Sequence, residues 1–437
     1  MSIIEKLIRN KIFSNASWII ACRIMQAVCS LIVTMVASRF LGPSKYGLIS
    51  YAASICTFFL PIMQLGLPSI QVQELINKDG EEGTIIGSSL IMSFLSSLFC
   101  VIGIYAFTSI INRGEVMTVI VCVLYSFTLV FQSLEIIQFW FQAHYHFKYV
   151  SIVSLVAFIA ISIYKIYLLA AGKNIYWYTI SYLLDHLIIA VSLLSFYYKI
   201  QGPPLKINKE TCICLLNRSK YYIISNLMIV IFAQTDRIML KNMAGNEITG
   251  YYSAAFTLAN MVNFLYEAII DSYRPFIFQS YKVSLESFNN SLKNLYCIIV
   301  YATLLICTGI TIFAPLGVYI VYGRGFLHAV NILRIVVWYA PFAYIGTIRN
   351  IWMLAKNMQH LLWSINFLGA IANIVINLLL IPKLGAIGAA IASLLTQIFT
   401  NVILSIIIPE LRAGAILLME SLNPKRLFFI YKKLYYK

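Results

Sequence analysis

Apolar runs of about the length a helix needs to cross a bilayer, parted by short polar breaks, set the pattern of this chain. About twelve such runs occur. In the first half they lie near 13–37, 47–68, 85–107, 116–138, 150–171 and 176–198. In the second half they lie near 221–243, 251–273, 295–320, 332–353, 361–381 and 386–408. The connections are short, and no soluble domain is inserted. At mid-chain the longest polar stretch runs from Lys199 to Lys220 and carries Gly202, Pro203 and Pro204, residues that stop helices. The expected fold is therefore an all-α polytopic membrane protein, with about 12 transmembrane helices in two six-helix bundles around a central cavity. Its parts are an N-terminal bundle over 1–200, a linker over 201–220, a C-terminal bundle over 221–408 and a basic amphipathic tail over 409–437.

Composition agrees with the bilayer reading. Of 437 residues 61% are hydrophobic and only 11% charged, with a mean hydropathy of +0.84, too little charged surface for a soluble chain of this size. The stretch Met1–Lys11 is basic, but the apolar run behind it outlasts a signal sequence and lacks a small-residue cleavage site, so it reads as the first span. A net charge of +16 would suggest nucleic acid in a soluble protein. Here the basic residues sit mainly between spans and report topology, so no nucleic-acid partner is expected. With the N-terminus inside, 21 of the 32 Lys and Arg fall on cytoplasmic segments and 9 on the other side, leaving Arg23 and Lys165 within spans. The positive-inside rule then puts both termini, the 201–220 linker and the tail in the cytoplasm. The tail from Asn423 to Lys437 mixes Lys and Arg with aromatic residues, which suits an anionic lipid surface.

Polar residues inside the runs fall on helical faces. Ser50, Ser54, Thr57, Pro61, Gln64 and Pro68 share one face, and Arg23, Gln26, Ser30 and Thr34 another. The same holds for Glu135, Gln138 and Gln142; for Asn260, Asn263, Glu267, Asp271 and Arg274; and for Asn366, Asn373 and Asn377. Such stripes can simply join helices. An ionisable group at mid-bilayer, however, faces a partner or a water-filled cavity. Several polar faces in both halves therefore imply a shared cavity with Arg23, Lys165, Arg237 and Arg274 as its cationic wall and Gln26, Gln64, Asn260, Asn263, Asn373 and Asn377 as its polar lining. Cationic walls attract phosphate and other anions. Glu135, Asp185, Glu267 and Asp271 are the carboxylates that could take up H+ or Na+ and couple transport to a gradient. Asp236 beside Arg237 reads as a local structural pair.

Signals for catalysis are poor. There is no P-loop, nucleophile motif or His/Cys cluster with ligand spacing. Most of the nine cysteines lie in apolar runs, and Cys212 and Cys214 form a C-x-C pair without further ligands. His144-Tyr145-His146 reads as interfacial rather than as a metal site. The outside loops are too short for a membrane glycosyltransferase or polymerase, the last-ranked reading. No enzyme, metal or cofactor is expected.

Three stretches carry a family resemblance. Ala37-Ser38-Arg39-Phe40-Leu41-Gly42-Pro43-Ser44-Lys45-Tyr46-Gly47 resembles the R-x-L-G-P-x-x-Y-G signature after the first span of O-antigen flippases. Those belong to the polysaccharide transporter family of the multidrug/oligosaccharidyl-lipid/polysaccharide superfamily. Gln234-Thr235-Asp236-Arg237-Ile238-Met239-Leu240 with Gly250-Tyr251-Tyr252-Ser253-Ala254-Ala255 resembles the family's T-D-x-x-M-L and G-Y-Y-S-A-A segments. Asn377 to Pro382 with Gly385 to Ser393 resembles its N-x-x-L-I-P-x-x-G-x-x-G-A-A-I-A-S ending. The second motif also echoes the first half: Tyr46-Gly47-Leu48-Ile49-Ser50-Tyr51-Ala52 parallels Thr249-Gly250-Tyr251-Tyr252-Ser253-Ala254-Ala255, as two parallel repeats would. The resemblance implies alternating access and export of an undecaprenyl-diphosphate-linked oligosaccharide, an O-antigen or related repeat unit, to the periplasmic leaflet of a bacterial inner membrane. Expected partners are membrane lipid, that glycan substrate, a polysaccharide polymerase and a chain-length regulator. Related lipid II flippases use cavity arginines in the first and eighth spans, the spans that hold Arg23 and Arg274 here. The competing expectation is a multidrug or cation exporter of the same superfamily, which would favour an acidic cavity.

Overall fold

The computed structural model describes residues 3–77, 80–144 and 146–423, without the side chains of 3–24, 27, 28, 147 and 359. Every regular element among the described residues is helical, and 11 stretches among them are long and apolar enough to span a membrane. The chain is thus a multi-pass helical membrane protein. It separates into two compact units, Met1–Gln234 and Thr235–Lys437.

Unit 1 comprises α1 (Ile3–Gln64), α2 (Gln71–Asn77), α3 (Glu82–Ile111), α4 (Val116–Leu134), α5 (Gln138–Ala143), α6 (Phe147–Ala170), α7 (Ile175–Lys199) and the first part of α8 (Lys209–Ala244). Within it α1 packs against α4 and α6, and α7 against α4 and α6. Unit 2 takes the end of α8 and then α9 (Asn246–Asn260), α10 (Asn263–Val283), α11 (Leu285–Tyr322), α12 (Ala329–Val336), α13 (Tyr339–Ala355), α14 (Leu362–Leu384), α15 (Ala386–Ile398), α16 (Leu404–Ile407) and α17 (Arg412–Ser421).

The first two expected spans run on as α1, broken at Gly42, whose φ of 69° and ψ of 173° lie outside the helical region. Only glycine adopts that conformation without strain, and Pro43 behind it is preorganised for a first helical turn. The Leu-Gly-Pro of the first motif is therefore a kink between two helical stretches. In unit 2 Gly245 joins α8 to α9 with φ 87° and ψ 175°. Gly42 and Gly245 lie 203 residues apart, the offset that also pairs Gly47 with Gly250, Ser50 with Ser253 and Ala52 with Ala255. The weak sequence echo thus has a backbone counterpart.

Other spans are interrupted where apolar length alone suggested continuous helix. A 3-10 turn at Glu135–Ile137 divides α4 from α5. The α9–α10 junction falls at Met261 and Val262, and the α12–α13 junction at Val337 and Trp338. A π turn, Phe399–Ile403, separates α15 from α16. Broken helices at membrane depth persist where side chains re-satisfy the freed backbone. At the π turn Arg349, on α13, donates from Nη1 to the Thr400 carbonyl at 2.7 Å and to Ser405 Oγ at 3.3 Å. Arg349 is itself buried.

Helix α8 begins at Lys209, so the stretch 209–220 continues a span instead of forming loop. The irregular segment ahead of it is fastened to unit 1: Lys206 N–H donates to the Gly83 carbonyl at 3.1 Å, and Tyr197 Oη donates to the Pro203 carbonyl at 2.5 Å. In the expected tail, α17 packs on α11 and Tyr301 Oη donates to the Leu422 carbonyl. Residues 424–437 lie outside the described residues.

Candidate functional site

Lys165, on α6, is buried at 7% exposure. Its Nζ lies 3.5 Å from the centroid of the Tyr182 ring and 5.8 Å from that of Tyr178, both on α7. These contacts follow from helical spacing, which puts residues four apart on one face. Tyr125, on α4, closes the group at 5.0 Å from Tyr182. Together they wall a cavity of about 200 Å³ whose other side is α1, through Thr34, Tyr46 and Ser50. Among the described residues the Lys165 ammonium is the only charged group in that lining. Asp185 lies one turn beyond Tyr182, its Oδ1 buried without a hydrogen-bond partner.

Glu135 sits at the 3-10 turn and engages His186: Nδ1 lies 2.8 Å from Glu135 Oε1, and Nε2 lies 2.8 Å from Gln132 Nε2. A second imidazole–carboxylate pair holds the far end of α5. His144 Nε2 lies 3.2 Å from Glu82 Oε1, while Trp140 Nε1 donates to Glu82 Oε2 at 2.8 Å. His144 thus has a structural partner that the H-x-H spacing did not reveal.

In unit 2 the centre is Asp236, which the sequence reading set aside as a local pair. Its carboxylate accepts four side-chain hydrogen bonds. Asn373 Nδ2 and Asn377 Nδ2 donate to Oδ1 at 2.9 and 2.6 Å. Tyr252 Oη donates to Oδ2 at 2.8 Å, and Ser393 Oγ donates to the same oxygen. Asp236, Tyr252, Asn377 and Ser393 come from the three motif segments of the second half, so those motifs converge on one carboxylate. That convergence was the available signal. Asn373 and Asn377, expected as cavity lining, are buried donors to it. The Asn377 Oδ1 has no hydrogen-bond partner. The assembly offers six side-chain oxygens around one negative charge, a donor set that suits a hard cation.

The remaining candidates are spread more widely. Arg237 lies under the Phe256 ring, with its guanidinium carbon 4.8 Å from the centroid. Asn260 and Asn263 flank the α9–α10 break, where Asn263 Nδ2 donates to Asn260 Oδ1 at 2.7 Å and Tyr339 Oη donates to the same oxygen. Glu267 and Asp271 are exposed, and Arg274 pairs with Asp271 at 3.0 Å. Gln26 and Gln64 are half-buried on α1. The Arg23 side chain lies outside the described residues. Of the four expected cations, Lys165 belongs to unit 1 and Arg237 and Arg274 to unit 2.

The fold and its buried polar sites define the class: multi-pass helical membrane proteins with polar groups inside their spans. The sequence model for a family described as "Polysaccharide biosynthesis protein" matches residues 12–281. The chain belongs to that family. Among solved structures it is similar to the lipid II flippase MurJ in an inward closed conformation, with a TM-score of 0.71, 16% identity, and 95% of this chain and 92% of that one covered. An inward-facing MATE-family multidrug resistance transporter gives a TM-score of 0.60 at 12% identity, over 91% and 95% of the two chains. A multidrug/oligosaccharidyl-lipid/polysaccharide superfamily transporter from Pyrococcus furiosus gives 0.51 at 11% identity, over 94% of each. These likenesses concern the fold. A comparison with the curated proteins finds no match.

Proposed function

We propose that the protein is a flippase that moves an undecaprenyl-diphosphate-linked oligosaccharide, an O-antigen or related repeat unit, from the cytoplasmic to the periplasmic leaflet of a bacterial inner membrane. Both termini are cytoplasmic in this reading. The observation that carries it is the polar cavity of unit 1, whose one charged lining group among the described residues is the Lys165 ammonium. A glycan crossing bare hydrocarbon would lose the hydrogen bonds of its hydroxyls at several kcal/mol each, an order-of-magnitude cost that a hydroxyl-lined path removes. The cationic lining favours an anionic cargo over the cationic drugs of the competing exporter reading. Membership of a polysaccharide biosynthesis family and a MurJ-like fold support the same choice.

Coupling belongs to the Asp236 assembly in this proposal. A monovalent cation, Na+ or H+, would replace amide and hydroxyl donors at the carboxylate. Rotating the Asn377 amide would turn its unspent oxygen toward Na+. The exposed Glu267 and Asp271 lack such an enclosure. The test removes the gene product from cells that make a surface glycan. Loss of the glycan with accumulation of its lipid-linked precursor is expected. Unchanged glycolipid together with altered drug susceptibility would replace the flippase reading by the exporter.

A further inference from the structure

A lipid-linked glycan offers two kinds of negative charge, the diphosphate and any acidic sugar, and the cavity of unit 1 discriminates between them. Its volume is about 200 Å³, below the roughly 300 Å³ at which pockets begin to hold a drug-sized molecule. That is room for one sugar ring, not for an oligosaccharide. Among the described residues Lys165 Nζ makes no ion pair or hydrogen bond, and its contacts are with the faces of Tyr182 and Tyr178. An ammonium carries three donors, and burying them without acceptors is unfavourable. This ammonium borders open space that could hold an acceptor.

The hydroxyls of the lining point the same way. On nearby helix faces the usual arrangement is a hydroxyl closed onto its own helix. Ser54 Oγ donates to the Ser50 carbonyl, Thr57 Oγ1 to Ala53 and Thr179 Oγ1 to Ile175. The side chains of Thr34, Ser50 and Ser162, all in the cavity wall, make no hydrogen bond to described residues. Among its described residues the cavity therefore combines unspent hydroxyls, aromatic faces and one positive charge. Hydroxyls match sugar hydroxyls, and tyrosine rings match the C–H face of a pyranose. One ammonium balances one negative charge. A diphosphate brings at least two, and Asp185 a turn away, whose charge already acts on Lys165, leaves the described lining with no second cation to balance the other.

We infer that this cavity is a subsite for a single carboxylate-bearing sugar residue of the glycan, with Lys165 pairing the carboxylate and Tyr182 and Tyr178 flanking the ring. The inference rests on the flippase reading and adds the charge of the cargo to it. The diphosphate then binds elsewhere. Saturation-transfer NMR on the full-length protein in detergent tests this, with glucuronate, glucose and inorganic pyrophosphate as probes. Glucuronate receives saturation, and glucose receives about tenfold less, as one charge-assisted hydrogen bond requires. Lys165→Met abolishes the glucuronate signal without lowering the melting temperature, Ser50→Ala weakens it, and pyrophosphate leaves it unchanged. Equal signals for glucose and glucuronate, or a glucuronate signal that survives Lys165→Met, would overturn the subsite. Displacement of glucuronate by pyrophosphate would overturn it in favour of a diphosphate site. Should glucuronate fail to bind while cells lacking the protein still accumulate lipid-linked glycan, the subsite falls and the flippase stands. Should the precursor not accumulate, the flippase reading falls whatever glucuronate does.

Discussion

Each unit encloses one charge of interest, and the two are housed in opposite ways. Asp236 in unit 2 is surrounded by four donors within hydrogen-bond reach. Lys165 in unit 1 meets two ring faces and a cavity. The difference shows that burial alone does not mark a binding residue in a membrane protein. What matters is how far the neighbours have used up its hydrogen-bonding capacity. A filled carboxylate binds a cation only by exchanging its present donors. An unfilled ammonium binds an anion by simple addition.

The largest expected effect breaks the filled site. Each hydrogen bond to a charged group contributes about 1.5–3 kcal/mol, and Asp236→Ala removes four acceptor contacts while leaving buried donors behind. The variant should lose several kcal/mol, seen as a markedly lower unfolding midpoint in detergent, with Asp236→Asn less affected. A loss no larger than that of an exposed substitution such as Asp271→Ala would dissolve the contrast. The exchange idea is sharpened by salt. Replacing choline chloride with sodium chloride should raise the melting temperature of the native protein by mass action, up to about 2.7 kcal/mol at a hundredfold excess over Kd. The same change should do nothing for Asp236→Asn. An equal rise in both proteins would remove Na+ from this site.

A smaller effect tests whether the units are repeats. Gly42 and Gly245 share almost one backbone conformation, and a Cβ at either meets nothing within 4 Å. Alanine there imposes backbone strain without a clash, about 1–3 kcal/mol. Gly42→Ala and Gly245→Ala should therefore destabilise by similar amounts in thermal unfolding. A large inequality would mean that the matching angles do not reflect equivalent kinks.

Much of this was legible in the chain, for reasons that differ by feature. The spans follow from apolar length, which the bilayer enforces. The kink at Gly42 was visible as a motif but not as a geometry, because Gly-Pro within an apolar run is compatible with a loop as well as a kink. Lys165 stood out because a charge at that depth is costly. Its partners did not, since Tyr178 and Tyr182 lie on another helix and aromatic residues are common in spans. Asp236 was misread because Arg237 is its neighbour in sequence, while Asn373, Asn377, Tyr252 and Ser393 are neighbours only in space. The role of Arg349 was not legible because the π turn that it engages has no sequence signature.

The smallest expected change has the opposite sign and separates the two charges most cleanly. Lys165→Met keeps a similar length and removes an ammonium that has no hydrogen-bond acceptor among the described residues. Removing an unsatisfied buried donor group gains about 1–3 kcal/mol. The lost contact with the Tyr182 face costs about 0.5–2 kcal/mol. The balance is a gain of about 1 kcal/mol, or roughly 2–4 °C in melting temperature for a unit of this size. Translocation of an acidic lipid-linked glycan should fall in the same variant. A more stable protein that transports less is the signature of a charge retained for its ligand. A destabilised Lys165→Met protein would instead make Lys165 a packing residue like the Asp236 donors, and the asymmetry between the units would disappear.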